Sequence, residues 1–284
     1  MRDANSLVEV YPFLLKSCLQ GRPQYSGDPK RGCLTYDGTM MFTILDPTSV
    51  VMASKMRRWN YRFALAESAW ILSGSDKLGW LAKYNSKMRD FSDDGDTLSG
   101  AYGPRFVDQL PWVLESIKRD HDTRQAVITT WYPRVEGQRS KDVPCTVAFH
   151  FQVIHNRLCM TVFMRSNDVW LGVPYDVFSF TTIQRVVASM LRLTPGRYTH
   201  IASNFHIYEH DAEAARALLG AGIGAYHAPR IPQLPDNYDD VKTHLYASMC
   251  GSVNDSDCYF GELSRLDCVE STGWLAKVLS ANGR

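Results

Sequence analysis

Residues 144–191 read PCTVAFHFQVIHNRLCMTVFMRSNDVWLGVPYDVFSFTTIQRVVASML, and this stretch decides the fold class. Its first half breaks at His155-Asn156 into two runs, 145–154 and 157–165, both rich in Val, Phe and Thr. Such residues suit a pleated, half-buried surface, so the runs are expected to be paired strands joined by a tight turn. A polar cluster, Arg165-Ser166-Asn167-Asp168, ends the second run, and 176–193 then reads as a long, mostly apolar helix.

Further out, 5–20 reads as an amphipathic helix. Residues 33–45 read as two short strands around the Asp37-Gly38 turn. Residues 57–74 carry Trp59, Phe63, Leu65, Ala66, Ala69, Trp70 and Leu72 and predict a helix ending at Gly74, with a second helix over 76–84. DFSDDGDTLSG at 90–100 has the composition of a surface loop. Helices are also expected over 108–119 and 206–220, and a strand over 126–132. The mixture implies an α+β fold, a central mixed sheet backed by helices. With no repeat, low-complexity tract or linker, 1–284 reads as a single catalytic domain.

A net charge of +1 gives no bulk attraction for nucleic acid or an anionic membrane, so an anionic ligand must be met by a local Arg/Lys cluster. Seven cysteines with no CxxC pair point away from a disulfide framework or structural zinc and toward reduced thiols, hence a cytoplasmic setting. The first twenty residues lack the apolar core of a signal peptide, and no stretch nears the roughly 18 apolar residues needed to span a bilayer. No membrane, metal or direct nucleic-acid partner is expected.

Four segments carry candidate chemistry. Cys145 follows Pro144 at a strand start; a lone Cys is more often a small buried hydrophobe, and a reactive one needs positive surroundings. Arg165 and Ser166 form a phosphate-type pair, because a guanidinium offers a planar fork of donors. The plainer reading is a polar strand end and a helix cap. His206 and Tyr208, two apart, project alike from a strand and suit a sugar hydroxyl, or are amphipathic core residues. Arg124, and Lys30 with Arg31, are phosphate arms or simply solvated charges.

In this order the segments resemble the thymidylate synthase family, over about residues 28–215. The resemblance rests on Pro144-Cys145, on Arg165-Ser166-Asn167-Asp168-Val169-Trp170-Leu171-Gly172-Val173-Pro174-Tyr175, on His206-Ile207-Tyr208, and upstream on Ala66-Glu67-Ser68-Ala69-Trp70 and Gly100-Ala101-Tyr102-Gly103. It implies a homodimer formed through the sheet. Cys145 would add to C6 of a pyrimidine nucleotide, making C5 nucleophilic toward the one-carbon unit of 5,10-methylenetetrahydrofolate. Glu67 would organise water and proton transfers, and Tyr102 would assist loss of the C5 proton. Arg165, Ser166 and Arg31 would hold the phosphate, with Arg124 reaching in from the partner subunit. His206 and Tyr208 would bind the sugar. Asp168, Leu171, Gly172 and Glu67 would face the folate. Arg165 would also lower the Cys145 pKa by its charge.

Three departures bear on substrate and product. Methylating members carry Asn where this chain has Asp176. Asn suits the N3–H and O4 of uracil, whereas an Asp that shares a proton suits the N3 and amino group of cytosine. Thr146 stands where thymidylate synthases usually have His, and Arg89 falls where a tryptophan stacks on the folate. The run from Met164 to Val169 resembles phage deoxycytidylate hydroxymethylases, as does Asp176. The resemblance therefore implies dCMP as substrate and a hydroxymethyl product, with water capturing the methylene, in the host cytoplasm if phage-encoded. A dCMP methyltransferase is the runner-up, with Trp170 or Phe91 filling the aromatic gap, ahead of a thymidylate synthase acting on dUMP, which Asp176 disfavours, and of a nucleotide-binding relative without catalysis. Residues 216–284 diverge from the family.

Overall fold

The computed structural model describes residues 2–24, 32–52, 56–57, 59–133 and 140–222. Strands β1 (Arg2–Ala4), β2 (Arg22–Gln24), β3 (Cys33–Thr35), β4 (Met40–Ile44), β5 (Val127–Thr129), β6 (Thr146–Ile154), β7 (Arg157–Asp168) and β8 (Thr194–Tyr208) form one sheet. Its order is β1-β4-β8-β7-β6-β5, with β2 and β3 continuing the β4 side of β8. β7–β8 and β1–β4 run parallel and the other pairs antiparallel, so the sheet is mixed. Helices α1 (Leu7–Leu19), α2 (Tyr61–Leu72), α3 (Leu78–Leu81), α4 (Tyr102–Arg119), α5 (Val173–Met190) and α6 (Glu209–Ala221) back it. The α+β expectation holds.

The β6–β7 pair forms as expected. His155 and Asn156 both take positive φ, 51° and 60°, the backbone of a two-residue turn whose twist matches the strands it joins. In α1, Ser6 accepts from the Glu9 amide at 3.2 Å, and the Glu9 carboxylate accepts from the Asn5 amide at 2.8 Å, a reciprocal cap that fixes the start. α2 starts at Tyr61 rather than 57, because the Asn60 side chain caps it by accepting from the Phe63 amide at 3.1 Å. It stops before Gly74, whose φ of +74° ends the turn. α5 is buried along nearly its whole length, from Val173 to Ala188, against β7, β8 and α2.

Three expectations need correction. Residues 33–45 do form two strands, but β3 and β4 are not a hairpin. Both pair antiparallel with β8, one after the other along the same edge, so the Asp37-Gly38 bend interrupts one course of chain instead of reversing it. The helix expected over 206–220 begins only at Glu209, and His206 and Tyr208 end a fifteen-residue strand, β8. The helix over 76–84 shrinks to Leu78–Leu81 and is followed by a 3-10 turn, Ser86–Phe91.

β8 is the strand that sequence reading overlooked. It lies between β7 and the β3/β4 edge, and its inward positions Tyr198, His200, Ala202, Phe205 and Ile207 are buried. Among the described residues no helix is long and apolar enough to cross a membrane, and no group of three His, Cys, Asp or Glu is placed to hold a metal. Cys18, Cys33, Cys145 and Cys159 are free thiols.

Candidate active site

Cys145 sits half-buried one residue before β6, and its carbonyl accepts from the Arg165 amide at 2.8 Å, which ties it to β7. The Arg165 side chain folds over the same segment. Its Nε donates to Pro144 O at 2.9 Å and a terminal nitrogen donates to Val143 O at 3.0 Å, while the guanidinium lies 5.6 Å from the Trp131 ring centroid. Arg165 thus braces the Cys145 segment as well as placing a charge beside it. Burial pushes the Cys145 thiol up, and the Arg165 charge only partly offsets this. The Arg165 charge does lower the thiol pKa, as expected, but burial, which the motif did not reveal, is the larger effect.

Glu67 on α2, Tyr102 at the start of α4, Cys145 and Asp176 on α5 meet on the helix-covered side of the sheet. Each feels another's charge: Asp176 raises Glu67, and Cys145 and Asp176 both raise Tyr102. The Glu67 carboxyl, accepting from Ser179 Oγ at 3.1 Å, is pushed up to about 8, first by burial and then by Asp176. Burial pushes Asp176 up to about 7, so two carboxyls in one site hold protons near neutrality. The Tyr102 hydroxyl accepts from the Thr146 amide at 3.3 Å, which aims it at the strand start beside Cys145.

Asp176 is held from behind. Asn167 Nδ2 donates to Asp176 Oδ2 at 2.6 Å, and Asn167 Oδ1 faces His200 Nε2 at 3.0 Å. Gly172 caps α5 where this pair crosses. A Cβ there would lie 2.7 Å from Asn167 Nδ2 and 3.0 Å from Asp176 Oδ2, so only glycine leaves the bond room. Gly172→Ala is expected to open the Asn167–Asp176 bond. Overpacking of this kind costs roughly 1–3 kcal/mol. The checks are a melt, which should fall by several degrees, and a nucleotide titration, which should weaken at least about tenfold.

Ser166, His206 and Tyr208 come together across the parallel β7–β8 register, where Ser166 pairs with Asn204 and Asp168 with His206. Asn204 Oδ1 accepts from Ser166 Oγ at 3.3 Å and lies 2.8 Å from His206 Nδ1. An amide oxygen only accepts, so His206 carries its proton on Nδ1. Asn204 is thus a hub between the phosphate and sugar candidates that the sequence did not single out. Asp168 Oδ1 accepts from the amides of Trp170 and Leu171 at 2.7 and 3.1 Å, while its Oδ2 is buried with no hydrogen-bond partner. Leu171 is 46% exposed at the tip of this turn.

One described candidate stands apart from this group. Arg124 is exposed between α4 and β5, at the β5 edge of the sheet. Arg31 lies outside the described residues, as does Lys30.

Comparison with known proteins agrees with this arrangement. A thymidylate synthase domain matches residues 26–244. A deoxyuridylate hydroxymethyltransferase of Pseudomonas phage M6 is 36% identical over 173 residues, covering 58% of this chain and 49% of the relative. Proteins of the same name from Bacillus phage SP01 and Delftia phage PhiW-14 are 31% and 29% identical, covering 70% and 73% of this chain and 58% and 61% of theirs. The chain spans about half the length of the curated relatives it matches. With the mixed sheet, the braced Cys145 and a domain match across most of its length, this chain belongs to the thymidylate synthase family.

Proposed function

We propose that this protein transfers a one-carbon unit to C5 of dCMP and releases 5-hydroxymethyl-dCMP. One observation carries the reading of the base. Asp176 occupies the place of the family's uracil-reading Asn, and it keeps a proton to about pH 7. Its two oxygens together with one proton match the amino group and N3 of cytosine.

Cys145 Sγ attacks C6 of the base, and the electron pair gathers at C5. Methylenetetrahydrofolate supplies the carbon that C5 takes up. The buried, unpartnered Asp168 Oδ2 fits a pterin N–H, with Leu171 and Glu67 flanking. Tyr102 is the group nearest the departing C5 proton. Loss of the C5 proton would expel tetrahydrofolate and leave an exocyclic methylene; Glu67, with its proton held to about pH 8, positions the water that adds to it, and the electron pair returning through the base then expels Cys145 from C6. Ser166, His206 and Tyr208 take the phosphate and sugar. Arg124 and Arg31 complete the phosphate site, Arg124 from the second subunit of a homodimer packed through the sheet. The whole chain is one catalytic domain.

A hydroxymethyl product is favoured over a methyl one by the folate side of the site. Arg89 is exposed on the 3-10 turn. Trp170 is only 7% exposed and lies under Arg57 at 4.5 Å, and Trp80 donates its indole N–H to Ala66 O at 3.0 Å. Trp170 offers no open face to a folate, which leaves Phe91, 47% exposed, as the aromatic a methyl-transferring site would use. The phage relatives' names favour hydroxymethyl transfer too. Those names also favour a second reading, the same transfer to dUMP, which a protonated Asp176 accommodates through N3–H and O4. Incubation with methylenetetrahydrofolate and dCMP, dUMP or CMP, followed by mass spectrometry, decides. Hydroxymethyl-dCMP supports the proposal, product from dUMP alone supports the second reading, and a methyl product with dihydrofolate overturns the water step.

Either base requires the Asp176 proton. Nucleotide affinity is therefore expected to be level below about pH 7 and to weaken above it, by up to about tenfold per pH unit. Calorimetric titration of dCMP from pH 6 to 9 checks this, and a flat profile counts against the role of Asp176. The folded-state pKa values of Asp176 and Glu67 both lie above their ordinary ones. Their contribution to stability is therefore fullest below about pH 4 and is lost as pH rises through 7 and 8.

A further inference from the structure

Behind Asp176 runs a buried chain that no step of the reaction uses. Tyr198 Oη lies 2.7 Å from His200 Nδ1, His200 Nε2 lies 3.0 Å from Asn167 Oδ1, and Asn167 Nδ2 lies 2.6 Å from Asp176 Oδ2. Tyr198 and His200 are 0% exposed and Asn167 is 4%. His200 is stacked on Phe42 at 4.9 Å, which fixes its plane.

One direction satisfies every donor: in the opposite tautomer Nδ1–H would point at Tyr198 Oη and leave the Tyr198 O–H, for which the described residues offer no second acceptor, unpaired in the core. Deep burial keeps His200 neutral, holding its pKa down to about 3, so only one ring nitrogen carries hydrogen. With Asn167 Nδ2 donating to Asp176, Asn167 Oδ1 is free only to accept, and His200 Nε2 must hold the proton. Nδ1 is then the acceptor, and Tyr198 donates to it. Every donor points toward the carboxyl.

Reversal has a definite consequence. If the Asn167 amide turned over, its oxygen would face Asp176 and accept the carboxyl's proton. The base would lose that proton. An imidazole N–H opposite Asn167 forbids the reversal, because it would set Nε2–H against an amide NH2.

We propose that Tyr198 and His200 are positioning residues for base recognition: they lock the Asn167 amide so that Asp176 Oδ2 always accepts and its proton stays available to the pyrimidine. The proposal rests on Asp176 reading the base. It explains the buried Tyr–His pair, the stacked Phe42 and the need for glycine at 172 together.

The test compares the purified full-length protein with His200→Phe, His200→Gln and Tyr198→Phe. Phe keeps the stack on Phe42 and removes the donor, whereas Gln restores an N–H. The expected result for His200→Phe is a KM for the nucleotide raised at least about tenfold with the folate KM unchanged. His200→Gln should recover most of it, and Tyr198→Phe should show a smaller shift in the same direction. A second arm places Asp176→Asn in both backgrounds. An Asn at 176 has one donor and one acceptor whose order depends on the Asn167 amide, so His200→Phe should shrink its discrimination between dUMP and dCMP at least about tenfold.

Unchanged nucleotide KM and unchanged discrimination in a variant that melts like wild type overturn the proposal, as does an equal loss for nucleotide and folate. If His200→Phe does not fold, Tyr198→Phe carries the same comparison. A wild type that transfers nothing ends the proposed function but leaves this proposal open to the same comparison of dissociation constants. A wild type that binds neither nucleotide overturns both.

Discussion

With Cys145 replaced by alanine, product formation is expected to fall by at least about 10⁴-fold while nucleotide binding persists within a few-fold. The argument is one of roles. C5 of a pyrimidine is a poor nucleophile until something adds at C6, and among the described residues Cys145 is the thiol grouped with Asp176, Tyr102 and Glu67. Its carbonyl is pinned to the Arg165 amide and the preceding carbonyls to the Arg165 side chain, so removing Sγ leaves the loop in place. Cys145→Ser tests the chemistry rather than the shape. A hydroxyl ionises far less readily, so serine should perform little better than alanine. Quenched-flow product assays beside calorimetric binding separate the two effects. Wild-type turnover in Cys145→Ala would falsify covalent catalysis by this residue.

Asp176→Asn is expected to reverse the base preference, changing the ratio of kcat/KM for dUMP over dCMP by at least about 10³-fold. Asn167 Nδ2 donates to one atom of side chain 176 and so selects an acceptor there. In the variant that atom becomes the amide oxygen, and the amide nitrogen takes the other place. This donor–acceptor order is the one that serves uracil in the family's methylating members. A carboxyl can shift its proton between its two oxygens to meet a cytosine, whereas this fixed amide order cannot. The amide also cannot take or give a proton, so nucleotide affinity in the variant should be flat across pH 6 to 9. Competition assays with both nucleotides in one vessel give the ratio directly. If wild type already prefers dUMP, the ratio should move little, and the second reading of the substrate stands.

Much of this was legible in the sequence. Cys145, Tyr102, Arg165, Ser166, Asp168 and Asp176 lie in short motifs at strand ends and helix starts, and Glu67 in one midway along α2, where local pattern and local structure coincide. The β6–β7 hairpin was legible for the same reason, since its turn and both its strands are contiguous. β8 was not. Its opening Thr194-Pro195-Gly196 reads as a breaker, and its His and Tyr residues weaken the apolar alternation that marks a strand. Only the parallel pairing with β7 on one side and the β3/β4 edge on the other turns it into the middle of the sheet. With β8 unread, Tyr198 and His200 had no face, and Asn204 had no neighbours. For a related reason the motif revealed the Arg165 charge beside Cys145 and not the burial that outweighs it.

The placement of β8 also constrains how relatives of this protein can diverge in length. One strand carries Tyr198 and His200 behind the base and Asn204, His206 and Tyr208 beside the sugar, and it is gripped along both edges. A single inserted residue anywhere between 200 and 204 would leave one group facing its ligand and turn the other to the opposite surface. Two inserted residues would keep both faces but push the sugar readers about 7 Å along the strand. Length changes in this family should therefore collect in the connections around β8 and spare the strand itself.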